Sequence, residues 1–210
     1  MSQYEHLIST LARFEEEAKA GPLSLGRAMD SLDGGAYPLI ALILILPFMQ
    51  PIPTGPLSIL GGLTFATLGW QMWRGHQTPV LPKKVRNVVM SQQTWKVLAN
   101  LSLKVVSFCR KFTRARLTTL VEGRKGQKLA ALVMILAGLL MAIPFGVLPL
   151  NNVFPGLAIL FLCFGLMEDD GLMTVIAIFW IFVTIIYFTA FFLGLYFLGN
   201  EVFEYFKFGG

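Results

Sequence analysis

Residues 34–73 and 129–167 contain no aspartate, glutamate, lysine or arginine. Neither run can cross a bilayer once as a straight helix. About 40 residues of helix would be about 60 Å long, roughly twice the apolar thickness of a membrane. Each run must therefore enter the membrane and turn back. Cysteine is equally sparse: Cys109 lies in a basic segment and Cys163 in an apolar run, so no disulfide framework or metal quartet is available. The chain has no Ser-His-Asp set, no metal-spaced His/Cys cluster and no phosphate-cradling glycine loop, so neither catalysis nor a cofactor is expected. The N-terminus lacks an apolar stretch behind a basic one and does not read as a cleavable signal peptide.

Acidic residues are almost missing from the middle of the chain. Twelve of the 17 basic residues fall between Lys83 and Lys128, opposed by Glu122 alone. That many cations resist translocation, which keeps the segment cytoplasmic and the first run open to the same side. Within the linker Val85, Val88, Val89, Leu98, Leu101, Val105, Phe108 and Phe112 recur mostly at steps of three and four. This pattern predicts basic amphipathic helices lying on the inner leaflet. Nucleic-acid binding is not expected in a chain so apolar elsewhere.

What is abundant is apolar surface: 55% of residues are hydrophobic and 14% charged, with a mean hydropathy of +0.67. A third charge-free stretch, 171–200, is long enough to span a bilayer with some tilt. The expected fold is an all-α integral membrane protein, multi-pass, with its N-terminus in the cytoplasm. Its parts are an N-terminal amphipathic segment (1–33), a first membrane hairpin (34–75), a basic linker (76–128), a second hairpin (129–171), a C-terminal transmembrane helix (172–200) and a tail (201–210). The hairpin arms at 36–49 and 155–167 would be only about 20 Å long, which favours re-entrant hairpins over fully spanning ones.

The two hairpins look like copies. A shift of 96 residues places Pro53 on Pro149, Phe65 on Phe161, Gly69 on Gly165 and Gly75 on Gly171. Proline-interrupted apolar segments at matching places point to a transport site between the repeats. With the linker cytoplasmic, both hairpins open the same way. The turns read QPIPTGP (50–56) and LPLNNVFPG (148–156). Pro56 and Pro155 suit the first position of a helix, leaving backbone N–H groups to face the hairpin tip. With Gln50, Thr54, Gly55, Ser58, Asn151, Asn152 and Gly156 they form a candidate site for a phosphate or carboxylate. The plainer alternative is tight turns and helix caps.

At the other ends of the arms the repeat aligns Gln71 and Arg74 with Met167 and Asp170. An ion pair between Arg74 and Asp170 across the repeats is expected, with Arg74, Glu168 and Asp170 as a gate or proton relay and Gln71 and Arg74 joining the binding set. The plainer reading has Arg74 reaching headgroups and the acids solvated.

The stretch LPFMQPIPTGPLSILGGLTFATLGWQMWRG, followed by PVLPKKV, resembles the exopolysaccharide synthesis ExoD family of bacterial membrane proteins. Gln71, Gly75 and Val80-Leu81-Pro82 match that family's glutamine, glycine and W-L-P, with Val80 replacing the tryptophan. IPFGVLPLNNVFPGLAILFLCFGLMEDDG resembles its second half. The resemblance covers about residues 20–198. It implies an inner-membrane protein linked to exopolysaccharide production and names no reaction. The expected function is transport of an anionic lipid or polyprenyl-phosphate carrier, with membrane lipid as its surroundings. The alternatives are a proton- or cation-coupled exchanger and a non-transporting scaffold for polysaccharide enzymes. A bundle this small is compatible with a homodimer.

Overall fold

Proline sets three of the described helix boundaries. The computed structural model describes residues 35–49, 55–80, 113–144 and 148–208, with scattered positions between 13 and 24 and between 83 and 107. Helix α1 (Ala36–Ile45) tightens into a 3₁₀ turn over Leu46–Met49. Pro47 lacks the N–H that would continue the ladder and disfavours α geometry at Leu46 before it. Helix α2 (Pro56–Trp73) has Pro56 in its first turn. Gly55 just ahead of it takes φ 55°, ψ −130°, a conformation open in practice to glycine alone. Helix α3 (Gly123–Ala142) stops where Ile143, extended, precedes Pro144. Helix α4 (Val153–Glu168) and helix α5 (Gly171–Phe208) complete the described chain.

The expectation of an all-helical chain holds. Among the described residues the one β pairing is a two-residue antiparallel ladder, Leu23–Ser24 with Val89–Met90. Among the described residues two helices are long and apolar enough to cross a bilayer, α3 and the Gly171–Phe197 part of α5, while 36–49 and α4 are apolar but shorter. Three boundaries differ from the sequence reading. Helix α3 starts at Gly123, so Arg124, Lys125 and Lys128 ride on its first turns instead of in the linker. Helix α4 starts at Val153, two residues before Pro155. Helix α5 runs on to Phe208 through what reads as a tail, because nothing between 201 and 208 is a helix breaker.

Packing crosses between the two charge-free runs. Helix α2 lies most closely not on α1 but on α3, and α1 lies on α4. A Cβ added at Gly62 would stand 2.5 Å from the Gly138 carbonyl and the Ala142 nitrogen. One at Gly138 would stand 2.5 Å from the Ala66 nitrogen, and one at Gly69 would stand 2.8 Å from the Ala131 carbonyl. Rising numbers in α2 meet falling numbers in α3, so the pair is antiparallel. Backbones that touch through small residues are how helices associate where no hydrophobic drive separates protein from lipid. Helices α4 and α5 form an antiparallel pair around the Asp169-Asp170 turn, with Gly165 against Thr174 and the Asp170 carbonyl. The shared core includes Leu42, Ile45, Phe65, Met134, Met141, Ile159 and Leu162, all essentially without exposure.

The N-terminal amphipathic helix and the apolar stripe of the linker fall largely outside the described residues. Described linker positions Gln93, Lys96, Asn100, Lys104 and Ser107 are helical and exposed. Val89, which the sequence reading put on the apolar stripe of a helix, lies instead in the two-residue strand.

Candidate functional site at the junction of the two proline turns

The first turn of α2 and the residues leading into α4 meet. Asn152 Nδ2 donates to Ser58 Oγ at 2.8 Å. Both are nearly inaccessible, at 1% and 3% exposure, which in an apolar bundle makes this hydrogen bond costly to lose. Beside it is a cavity of about 210 Å³. Gly55, Pro56, Ser58 and Ile59 line it from α2, Ile143 and Pro144 from the end of α3, and Asn151 from the approach to α4. The cavity is uncharged on every described side.

Aromatic contacts hold the second turn in place. Tyr187 of α5 donates its hydroxyl to the Pro149 carbonyl at 2.7 Å. Its ring and that of Trp180 enclose Phe154, at centroid distances of 4.9 and 5.7 Å. Sequence reasoning missed Tyr187, which is one of many aromatics in a uniformly apolar helix. Its phenol is the signal, since a tyrosine in an apolar helix brings one polar handle that finds a partner at the helix surface.

The backbone donors expected at the helix starts are turned inward. Ser58 N–H bonds the Gly55 carbonyl at 3.0 Å, and the Val153 and Phe154 N–H groups bond the Leu150 carbonyl at 3.0 and 3.3 Å. Leu150, in the left-handed region at φ 60°, folds the chain back far enough to do this. These amides are not free to cradle an anion.

Of the sequence-predicted binding residues, Gly55, Ser58, Asn151 and Asn152 come together. Gln50 and Thr54 lie outside the described residues. Gly156 serves packing: a Cβ there would meet Met49 Sδ at 3.1 Å and Ile45 at 3.4 Å. Gln71 is 13 positions beyond Ser58 on the same helix, about 20 Å away, and its amide is spent. Its Oε1 accepts from the Val80 N–H at 2.7 Å and its Nε2 donates to the Val80 carbonyl at 3.2 Å. Together with Tyr37, whose hydroxyl donates to the Thr78 carbonyl at 3.1 Å, it holds the 74–80 loop on the bundle.

Arg74 and Asp170 do not pair. The Arg74 guanidinium lies 5.5 Å over the Trp70 ring, and Lys128 Nζ lies 5.5 Å over Trp73. Both are cation–π contacts on half-exposed tryptophans at the ends of α2 and α3. Asp170, completely buried, accepts the Arg114 N–H on Oδ2 and the Leu172 N–H on Oδ1, both at 3.0 Å. Gly171 N–H bonds the Arg116 carbonyl at 2.6 Å beside it. The carboxylate thus fastens the end of the linker to the α4–α5 turn. A repeat alignment relates backbone positions, whereas pairing depends on which segment packs against each side chain, and at Asp170 that segment is the backbone of 114–116. Glu168 is half-buried in the last turn of α4. Asp169, in the left-handed region at φ 51°, has its carboxyl raised above the ordinary 3.8 by burial and, second, by the Glu122 carboxylate.

Comparison with known proteins agrees with the motif reading. The profile of a family described as exopolysaccharide synthesis, ExoD, matches residues 7–190. The chain is 26% identical over 182 residues to Protein ExoD of Rhizobium meliloti (strain 1021), covering 87% of this chain and 75% of that protein. It is 24% identical over 161 residues to an uncharacterized protein of Synechocystis sp., covering 77% and 74%. No solved structure matches the chain.

Proposed function

This chain belongs to the exopolysaccharide synthesis ExoD family, and from that premise we propose that it transports a lipid-linked carrier of polysaccharide assembly across the bacterial inner membrane. The carrier is of the polyprenyl-phosphate type, and its polar head enters at the Ser58–Asn152 junction between two hairpin repeats. The observation that carries this reading is that the starts of two apolar helices, 94 positions apart, converge on one buried hydrogen bond beside a cavity. Buried polar groups at membrane depth are costly and are therefore functional by default. The crossed packing of α2 on α3 and α1 on α4 supports two repeats related by an axis along the helices, with both turns at one end. Length and apolarity support membrane crossings at α3 and α5 and shorter, re-entrant elements at 36–49 and α4. The N-terminus and the cationic linker remain in the cytoplasm.

The exchanger reading is weaker, because the Asp170 carboxylate is held by two backbone N–H groups and serves as a fastening. The scaffold reading is an outcome of the test. Ser58→Ala and Asn152→Ala are placed in proteoliposomes with a fluorescent short-chain lipid-linked carrier, and its transbilayer movement is timed. Removing one partner of a buried hydrogen bond costs about 1–3 kcal/mol, so a loss of about fivefold or more is expected at unchanged protein abundance. Transport at the wild-type rate in both variants sinks the reading and leaves a scaffold.

A further inference from the structure

We infer that the end of the α2–α3 pair binds an anionic phospholipid, with its phosphate between Arg74 and Lys128 and an acyl chain along the exposed face of α2. This stands apart from the carrier reading and holds whether or not anything is transported. Trp70 and Trp73 lie three positions apart in the last turn of α2, and both are exposed. Arg74 Cζ lies 5.5 Å from the Trp70 centroid and Lys128 Nζ 5.5 Å from that of Trp73, so two cations flank one pair of rings. A ring face attracts a cation but offers its N–H groups no acceptor oxygen. Among the described residues no hydrogen bond or ion pair engages either cation. Nearby sequence supplies little counter-charge: 55–80 contains no acid and 113–142 contains Glu122 alone. The Glu122 charge acts on Asp169, at the α4–α5 turn.

The rest of this face of α2 is apolar. Leu60 and Leu63 are exposed at 64% and 49%. Thr64 and Thr67, on the same side, donate their hydroxyls to the Leu60 and Leu63 carbonyls at 2.7 Å, so neither offers its proton outward. From Leu60 to Trp70 is ten positions of helix, about 15 Å, or half of the roughly 30 Å apolar thickness of a bilayer. An apolar track one leaflet long ends in two tryptophans and two unpaired cations. Acyl chain, interface and phosphate of one phospholipid meet these in that order. A soluble acidic peptide would satisfy the cations and leave the track bare.

The test uses the full chain in phosphatidylcholine vesicles containing phosphatidylglycerol, with one lipid or the other brominated on its acyl chains. Bromine quenches tryptophan on contact, and Trp95→Phe with Trp180→Phe leaves Trp70 and Trp73 as reporters. One basic residue near an anionic surface is worth about fivefold in association. Phosphatidylglycerol should therefore be preferred by about fivefold for one engaged cation and about 25-fold for both. Arg74→Gln with Lys128→Gln should abolish the preference, while Arg74→Lys with Lys128→Arg, which keeps both charges, should keep it. Arg124→Gln with Lys125→Gln makes the same change in charge three and four positions earlier on α3 and should leave the preference in place. Equal loss in the two glutamine pairs means a diffuse surface charge and overturns the site. Glycerol phosphate, the headgroup without chains, should not relieve quenching even in large excess; relief overturns the seating along α2. Equal quenching by the two lipids, or quenching by neither because a second copy of the chain covers the face, overturns the inference outright.

Discussion

Replacing Gly138 with alanine tests whether backbone contact between α2 and α3 holds the junction together. The new Cβ would lie 2.5 Å from the Ala66 nitrogen and 2.6 Å from the Gly62 carbonyl. Both obstacles are main chain in mid-helix, so no side chain can rotate away. The helices must part by about 0.9 Å to move from 2.5 Å to the 3.4 Å of ordinary contact. Overpacking of this kind costs about 1–3 kcal/mol. In a chain of this size each kcal/mol moves the melting temperature by roughly 2–4 °C, so a fall of roughly 2–12 °C is expected. The strain falls one turn from Ser58 and close to Ile143 and Pro144, so the cavity should change as well. Gly194→Ala is the matched control. It has open space around it and an ordinary helical backbone, and alanine should be neutral or gain about 0.5–1 kcal/mol there. Tryptophan fluorescence during a thermal ramp in detergent reads both variants. If Gly138→Ala melts with Gly194→Ala, the close-contact account of this interface is refuted.

Asp170→Asn keeps one acceptor oxygen for two backbone donors and loses the charge. It should cost about 1.5–3 kcal/mol and open the Arg114–Arg116 segment to trypsin, read as a new cleavage there. For Asp169 the carboxyl is raised in the folded state, so its ionised form is penalised at neutral pH. As pH falls through the folded value that penalty lifts, and it is gone below the ordinary 3.8. Asp169→Asn, compatible with the left-handed backbone, should therefore melt higher than wild type at pH 7 and converge with it in acid; a constant gap across pH refutes the assignment. Gln71→Ala should release the 74–80 loop, seen as faster amide exchange at Val80, with global stability falling by no more than about 1–2 kcal/mol because these bonds are exposed.

Much of the architecture is legible in one dimension. Charge-free runs of a length that no single crossing explains, proline at the turns and glycine just before Pro56 require an all-helical chain broken near 50–55 and 143–152, and the helices break there. The gathering of Ser58 and Asn152 follows from the same turns. Their neighbours were less legible. Gly62 and Gly138 read as apolar filler until two backbones are seen to touch there. Gln71 carries the motif resemblance, yet its amide is a loop clamp, and no pattern of residue types reveals which backbone an amide will find.

What the sequence alone determines here is where helices begin and end and which segments avoid water, because proline, glycine and the absence of charge act on their own neighbourhood. Which helix lies on which was decided only in three dimensions. Small residues permit close approach without naming a partner, so α2 chose α3 over α1 through fit along the whole pair. The same holds for Asp170. Its carboxylate is paired by the segment that packing brought to it, Arg114 by its backbone, and not by the cation that repeat symmetry had set opposite.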